Sequence, residues 1–228
     1  MFEYQLKKSA RRKTVAIKVH NQQVTVYAPS YIAKKQIDSW LLEKKTWVDA
    51  QLLKQLTVVD CKQYPFETKK ICIYSEQVNV QFEQGHCSGV KPQLAGLLIT
   101  VSKRVKHQQL KYQKLLEEYL KEQLTAYIEM RLTYFCTQMN EALPRNLSIA
   151  IYKRKWGSCN SKRNLTFNLH LIGAPQHIID YVIVHELAHL RHLNHSKAFW
   201  QRVEKFYPDY KSASQWLKIN GMGLQWVF

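Results

Sequence analysis

Five residues late in the chain, His185-Glu186-Leu187-Ala188-His189, have the types and spacing to do chemistry. On a helix, positions i and i+4 are offset by about 40° around the axis and about 6 Å along it. Both imidazoles can then reach one ion at the Zn–N distance of about 2.0–2.1 Å. Glu186, next to the first of them, is placed to accept a proton from a metal-bound water. Two further histidines follow, His192 and His195. On a continuing helix His192 would lie about 10 Å along the axis from His185, too far for three imidazoles to share an ion. The chain is expected to turn back at Leu193-Asn194, because Asn tolerates the left-handed conformation that ends helices. His195 then completes the set. The expected ligands are His185, His189 and His195, the ion Zn²⁺ and the base Glu186. Three protein nitrogens leave a fourth position for water, as in catalytic zinc sites.

Several elements must hold this set in place. Residues 147–152 and 165–172 read as strands, separated by the polar turn Lys153-Arg-Lys-Trp-Gly-Ser-Cys-Asn160. Gly173-Ala-Pro175 leads into the active helix, with Ile178, Ile179, Val182 and Ile183 as its buried face; proline is tolerated there because the first-turn N–H has no helical partner. The strand 165–172 is the natural one for an extended substrate to pair with. Asn168 and Trp156 are candidate substrate contacts, although a structural hydrogen bond explains Asn168 equally well. Cys159 has no evident base partner, so a structural role is favoured over a nucleophilic one. Asp180 and Ser196 are candidates to support the ligands from behind, with helix capping the stronger reading for Ser196. His192 is expected at an exposed helix end.

The first half looks simpler. Val15, Ile17 and Val19, then Val24 and Val26, alternate as in a hairpin with one buried face. Apolar residues at helical spacing over 33–54 predict one amphipathic helix with Trp40 and Trp47 in the core. Short apolar runs over 57–102, punctuated by glycines, read as strands, and residues 109–142 as a long helix closed by Pro144. The fold class expected is α+β, with a β-rich region over 1–105 and a catalytic half over 106–228.

Composition bounds the rest. With 228 residues and 46% hydrophobic content, the chain can bury one sizeable core or two modest ones. Five scattered cysteines without a C-x-x-C pair exclude a cysteine-based zinc ribbon and fit a reducing cytoplasm. No secretory signal or membrane span is expected. The net charge of +17 favours polyanions, so nucleic acid or a nucleotide is a candidate partner. Oligomeric state cannot be read.

Beyond the pentapeptide, Trp156-Gly-Ser-Cys159, Asn168-Leu169, Ala174-Pro175 and the stretch from Asp180 through His189 form a linked set. It continues in Asn194-His195-Ser196, Phe199-Trp200, Pro208-Asp-Tyr210 and Trp216-Leu217. This set resembles the YgjP-like metallopeptidase family across 149–221. Upstream the likeness is in outline only, through Arg11, Arg12, the strand at 14–19, Ala28-Pro29 and Trp47. The resemblance implies a zincin-like catalytic half and a zinc peptidase with His185, His189 and His195 as ligands and Glu186 as base. The family's substrates are poorly defined. More distantly, the histidine spacing and Phe199 resemble the WLM and SprT-type proteases, which act on proteins crosslinked to DNA. The metzincin spacing also fits, but His192 stands where metzincins carry Gly, and Gly221-Met222-Gly223 reads as a coincidental match to their methionine turn.

Three functions follow. The first is a metallopeptidase hydrolysing peptide bonds of a peptide or protein substrate by Glu-assisted attack of zinc-bound water. The second is a zinc-dependent hydrolase of nucleotides or other phosphorylated small molecules, weakened by the lack of a phosphate-binding glycine loop. The third is a DNA-associated protease or a nucleic-acid-binding protein, which would have no use for Glu186 if its zinc were structural.

Overall fold

The computed structural model describes residues 3–20, 23–57 and 62–228. They gather into two compact units, Met1–Asp60 and Cys61–Phe228.

The smaller unit has three strands, β1 (Tyr4–Ser9), β2 (Ala16–His20) and β3 (Gln23–Pro29), in the order β1-β3-β2. β2 and β3 form the expected hairpin, with Ile17 opposite Val26 and Val19 opposite Val24. The hairpin's turn lies outside the described residues. β1 was hidden by its lysines; it pairs parallel to β3 with Leu6 opposite Val26. The helical stretch forms two helices, α1 (Lys34–Glu43) and α2 (Lys45–Thr57), rather than one. The break is at Lys44, whose ψ of 2° leaves the helical range. Ile37, Leu41 and Val48 then share a small core with Val24 and Val26. Val48 takes the inward position, which leaves Trp47 48% exposed instead of in the core.

The larger unit opens with the short helix α3 (Pro65–Thr68) and four strands: β4 (Lys70–Ile73), β5 (Glu76–Gly85), β6 (Gly89–Gln93) and β7 (Gly96–Ser102). Their order is β4-β5-β7-β6, with β5 and β7 parallel. The 32-residue helix α4 (Gln108–Met139) follows. The division expected near residue 105 therefore falls inside this unit. A sheet with one apolar face must bury it against another layer. Ile71, Val80, Leu97 and Ile99 do so in one core with Leu116, Leu120 and Leu124 of α4. α4 stops at Asn140, left-handed at φ 50°, whose N–H bonds back to Cys136 and Thr137.

Next come β8 (Asn146–Ala150), β9 (Gly157–Cys159) and β10 (Asn164–Asn168), in the order β8-β10-β9. The strand expected to reach residue 172 ends at Asn168. There its side chain accepts the His170 N–H and starts the 3-10 turn Leu169–Gly173. Three helices complete the unit: α5 (Gln176–Ala188), α6 (Lys197–Phe206) and α7 (Tyr210–Asn220). After the turn Gly221–Leu224 the chain returns to Gln63. The Gln63 N–H donates to Gln225 O (2.8 Å), and Val227 N–H donates to Gln63 O (2.9 Å). The Gln63 side chain reaches Gly223 O at 3.1 Å and accepts the Cys72 N–H at 2.6 Å.

Cys72, Cys87, Cys136 and Cys159 are free thiols. Among the described residues, no helix is long and apolar enough to cross a membrane.

Candidate metal centre and active-site cleft

α5 is buried along most of its circumference, with Ile178, Ile179, Val182, Ile183, Val184 and Leu187 each at most 3% exposed. An apolar helix of this kind belongs to the interior, so His185 and Glu186 project from a base that packing holds still. The chain leaves the helix at His189, earlier than the expected turn at Leu193-Asn194. Leu190 N–H bonds back to Leu187 O, and both Arg191 and His192 N–H groups bond back to Ala188 O. Arg191 then grips Glu141 just beyond α4. Arg202 of α6 reaches the same carboxylate at 2.6 Å. One buried acid thus ties down both sides of the segment that carries His195.

The reversal brings the three histidines together. Their ligand-competent atoms all lie within 4.8 Å of one another. Nε2 of His185 and Nε2 of His195 are 3.2 Å apart. A tetrahedral ion with Zn–N bonds of about 2.0–2.1 Å spaces its nitrogens by about 3.3 Å. His189 Nδ1 stands 3.0 Å from His192 O. A carbonyl can only accept, so Nδ1 carries the proton and Nε2 keeps its lone pair for a metal. Burial, then the neighbouring His189 and His195, draws the His185 pKa down to about 3. Burial also lowers that of His189. Neutral imidazole is the ligating form. The donor set fits a divalent cation such as zinc.

Glu186 is 4% exposed, and its Oε2 has no hydrogen-bond partner among the described residues. Burial pushes its pKa up to about 8, against the lowering influence of Lys155. An acid so deep and unpartnered is costly unless a cation or water stands beside it. Glu186 and the three histidines line one cleft of about 500 Å³, with Trp156, the β9 residues 157–159 and Tyr181 around them.

Trp156, a candidate substrate contact, lines the cleft. Asn168 has its polar atoms engaged by the protein itself. It is 2% exposed, and its side chain donates to Tyr152 O and Lys155 O, both at 2.9 Å. Its oxygen accepts from His170 N. Asn168 therefore pins the 152–156 loop, the structural one of its two readings. β10 is not the strand a substrate can extend either, since β8 and β9 occupy both its edges. The unpaired edge facing the cleft belongs to β9. Asp180 does not reach the ligands. It receives Arg131 of α4 at 2.7 and 2.8 Å and the Tyr127 hydroxyl at 3.0 Å, locking α5 to α4. Ser196 caps α6, accepting the Phe199 N–H. Cys159 lines the cleft with its thiol pKa raised by burial and the Glu186 charge, the opposite of nucleophile activation. Two glycines carried a signal that spacing did not expose. A Cβ on Gly157 would stand 2.5 Å from Glu186 Oε1, and one on Gly221 2.6 Å from the Trp156 ring.

A family model described as "YgjP-like, metallopeptidase domain" matches residues 13–220. The chain belongs to the YgjP-like metallopeptidase family. The match takes in β2 at one end and the whole cleft at the other. This YgjP-like protein is thus a peptidase, with peptides or proteins as its substrate class; the nucleic-acid alternative gains no support. Two solved structures are similar over less of the chain. The metallopeptidase zymogen of Pyrococcus abyssi abylysin is 22% identical, with 44% of this chain and 99% of that one covered at a TM-score of 0.38. The zymogen of Methanocaldococcus jannaschii jannalysin is 23% identical, covering 40% and 92% at a TM-score of 0.36. Likeness at this level carries no weight for the function of the YgjP-like chain. No curated protein matches it.

Proposed function

We propose that this YgjP-like peptidase holds a zinc ion through His185, His189 and His195 and cuts peptide bonds with Glu186 as general base. The reading is supported above all by the buried, unpartnered Glu186 carboxylate facing the same cleft as three converging imidazoles. When bound, the ion would supply Lewis acidity toward a water and the scissile carbonyl.

The protein's own groups do the remaining work. Glu186 takes the proton of the attacking water and returns it to the leaving amine. An extended peptide lies along the free edge of β9, where backbone N–H and C=O groups position it. The apolar wall of Trp156 and Tyr181 excludes water around the reacting bond. His192 O fixes the His189 tautomer, and Arg191 and Arg202 on Glu141 hold His195 within reach.

Metal analysis combined with assays on an unstructured protein substrate tests this. The native chain is expected to carry about one zinc and to be inactivated by a chelator, with recovery on adding zinc. Glu186→Gln keeps the metal and loses roughly a thousandfold in kcat. His195→Ala loses both. A Glu186→Gln protein as active as the native one would overturn the assignment.

A further inference from the structure

Beside the cleft lies a second groove of about 180 Å³, lined in part by Lys153, Arg154, Lys155, Trp156 and Lys218. It shares Lys155, Trp156, Leu217 and Lys218 with the cleft, so one continuous depression runs past Glu186. Four of the groove's side chains are cations, and no acid lines it. None of the four forms an ion pair among the described residues. Lys155 sits with its Nζ 4.1 Å from the centre of the Tyr152 ring, which steadies it at the border of the two spaces. A charge run that merely solvates a surface spreads its members outward. These four line one concavity together with Trp156, so their fields add on a group bound there.

We infer that this groove receives a carboxylate of the peptide substrate on the C-terminal side of the bond being cut. The inference rests on the peptidase reading of the cleft. The orientation follows from β9. Glu186 abuts Gly157, so the reacting bond lies level with the start of that strand. Lys153, Arg154 and Lys155 precede it in the chain and lie beyond its N-terminal end. A peptide pairing antiparallel with β9, the stronger ladder, brings its C-terminal side to that end. The carboxylate can come from an Asp or Glu side chain or from the end of the peptide itself.

Three peptides separate these sources, using the full chain loaded with zinc. One has Asp two residues after the cut and an amidated end, the second Asn with an amidated end, and the third Asn with a free terminal carboxylate. The Asp peptide or the free-acid peptide is expected to show a kcat/KM roughly five- to tenfold above the amidated Asn peptide. That ratio should collapse in about 0.5 M NaCl. It should fall to one or below in Arg154→Glu/Lys218→Glu, with Arg154→Gln/Lys218→Gln standing in if the reversed charges impair folding. Which peptide gains tells the side chain from the terminus. Equal cleavage of all three, or a preference that survives charge reversal, would overturn the groove's assignment alone. Failure of the native enzyme to cut any peptide would overturn the peptidase reading and this inference together.

Discussion

Gly157 of β9 and Glu186 of α5 are in such close approach that a single methyl on the glycine would lie 2.5–2.8 Å from three atoms of the Glu186 side chain. Gly157→Ala should therefore move the carboxylate rather than unfold the protein, because the obstructed atoms belong to the far end of a side chain. A displacement near 1 Å costs on the order of a hundredfold in rate. Peptide hydrolysis should fall by about that factor while bound metal and the thermal midpoint stay close to native values. Equal losses in all three would show that the glycine serves the fold and not the base.

The second prediction concerns Asp180, whose side chain is 13% exposed and held by Arg131 and Tyr127. Removing one partner of a pair this buried strands the other, and about 2–4 kcal/mol is the expected loss for Asp180→Asn. Chemical denaturation reads the loss. An Asp180→Asn/Arg131→Met double variant should recover part of it, since no uncompensated cation is left behind. Coupling near zero would remove the pair from any role in fixing α5.

Asn168→Ala leaves Tyr152 O and Lys155 O without their side-chain donor. Unsatisfied buried groups cost about 1–3 kcal/mol each, partly relieved here because the loop can open to water. The expected result is a stability loss of about 2 kcal/mol, with a raised KM as Trp156 loses its anchor and unchanged zinc content. A change in kcat alone would point to direct contact with substrate instead.

His170 supplies a pH dependence remote from the metal ligands. It is 6% exposed, its Nδ1 has no hydrogen-bond partner among the described residues, and its ring meets Trp226 edge-on at 4.4 Å. Burial lowers its pKa from 6.5 to about 4. The folded state therefore binds this proton less readily than the unfolded state. Stability is complete above about pH 6.5 and declines as pH falls towards 4, by on the order of 3 kcal/mol. Urea denaturation across that range should show a shallower decline for His170→Phe than for the native chain. Parallel curves would place the acid sensitivity elsewhere.

Much of the site was legible because helix geometry is regular. The spacing of His185 and His189 fixes a shared face, and distance along the axis alone favours His195 over His192. Pairing partners are not local, and that is where reading the chain failed. Nothing in residues 164–172 says that both edges of β10 are taken, so substrate pairing was assigned to a central strand. Asn168 looked available because its backbone partners at 152 and 155 approach only when the loop folds over it. Glu141, the anchor for Arg191 and Arg202, lies about fifty residues before one and sixty before the other. Gly157 and Gly221 matter for what they lack, a Cβ, and sequence cannot show what would have collided with it. The short apolar runs of 71–101 read as strands, but nothing in them says that α4 covers them, so an expected division near 105 differs from the two units found.

The bonds between Gln63 and residues 223–227 tie the start of the larger unit to its last segment. Gln63 holds β4 through Cys72, and its other partners are translated some 160 residues later. Gly221, against which the Trp156 wall rests, belongs to the same late segment. Without that segment in place, the Trp156 ring has no glycine to rest against. A chain cut back before residue 221 should therefore keep its HExxH helix and lose the support of the Trp156 wall.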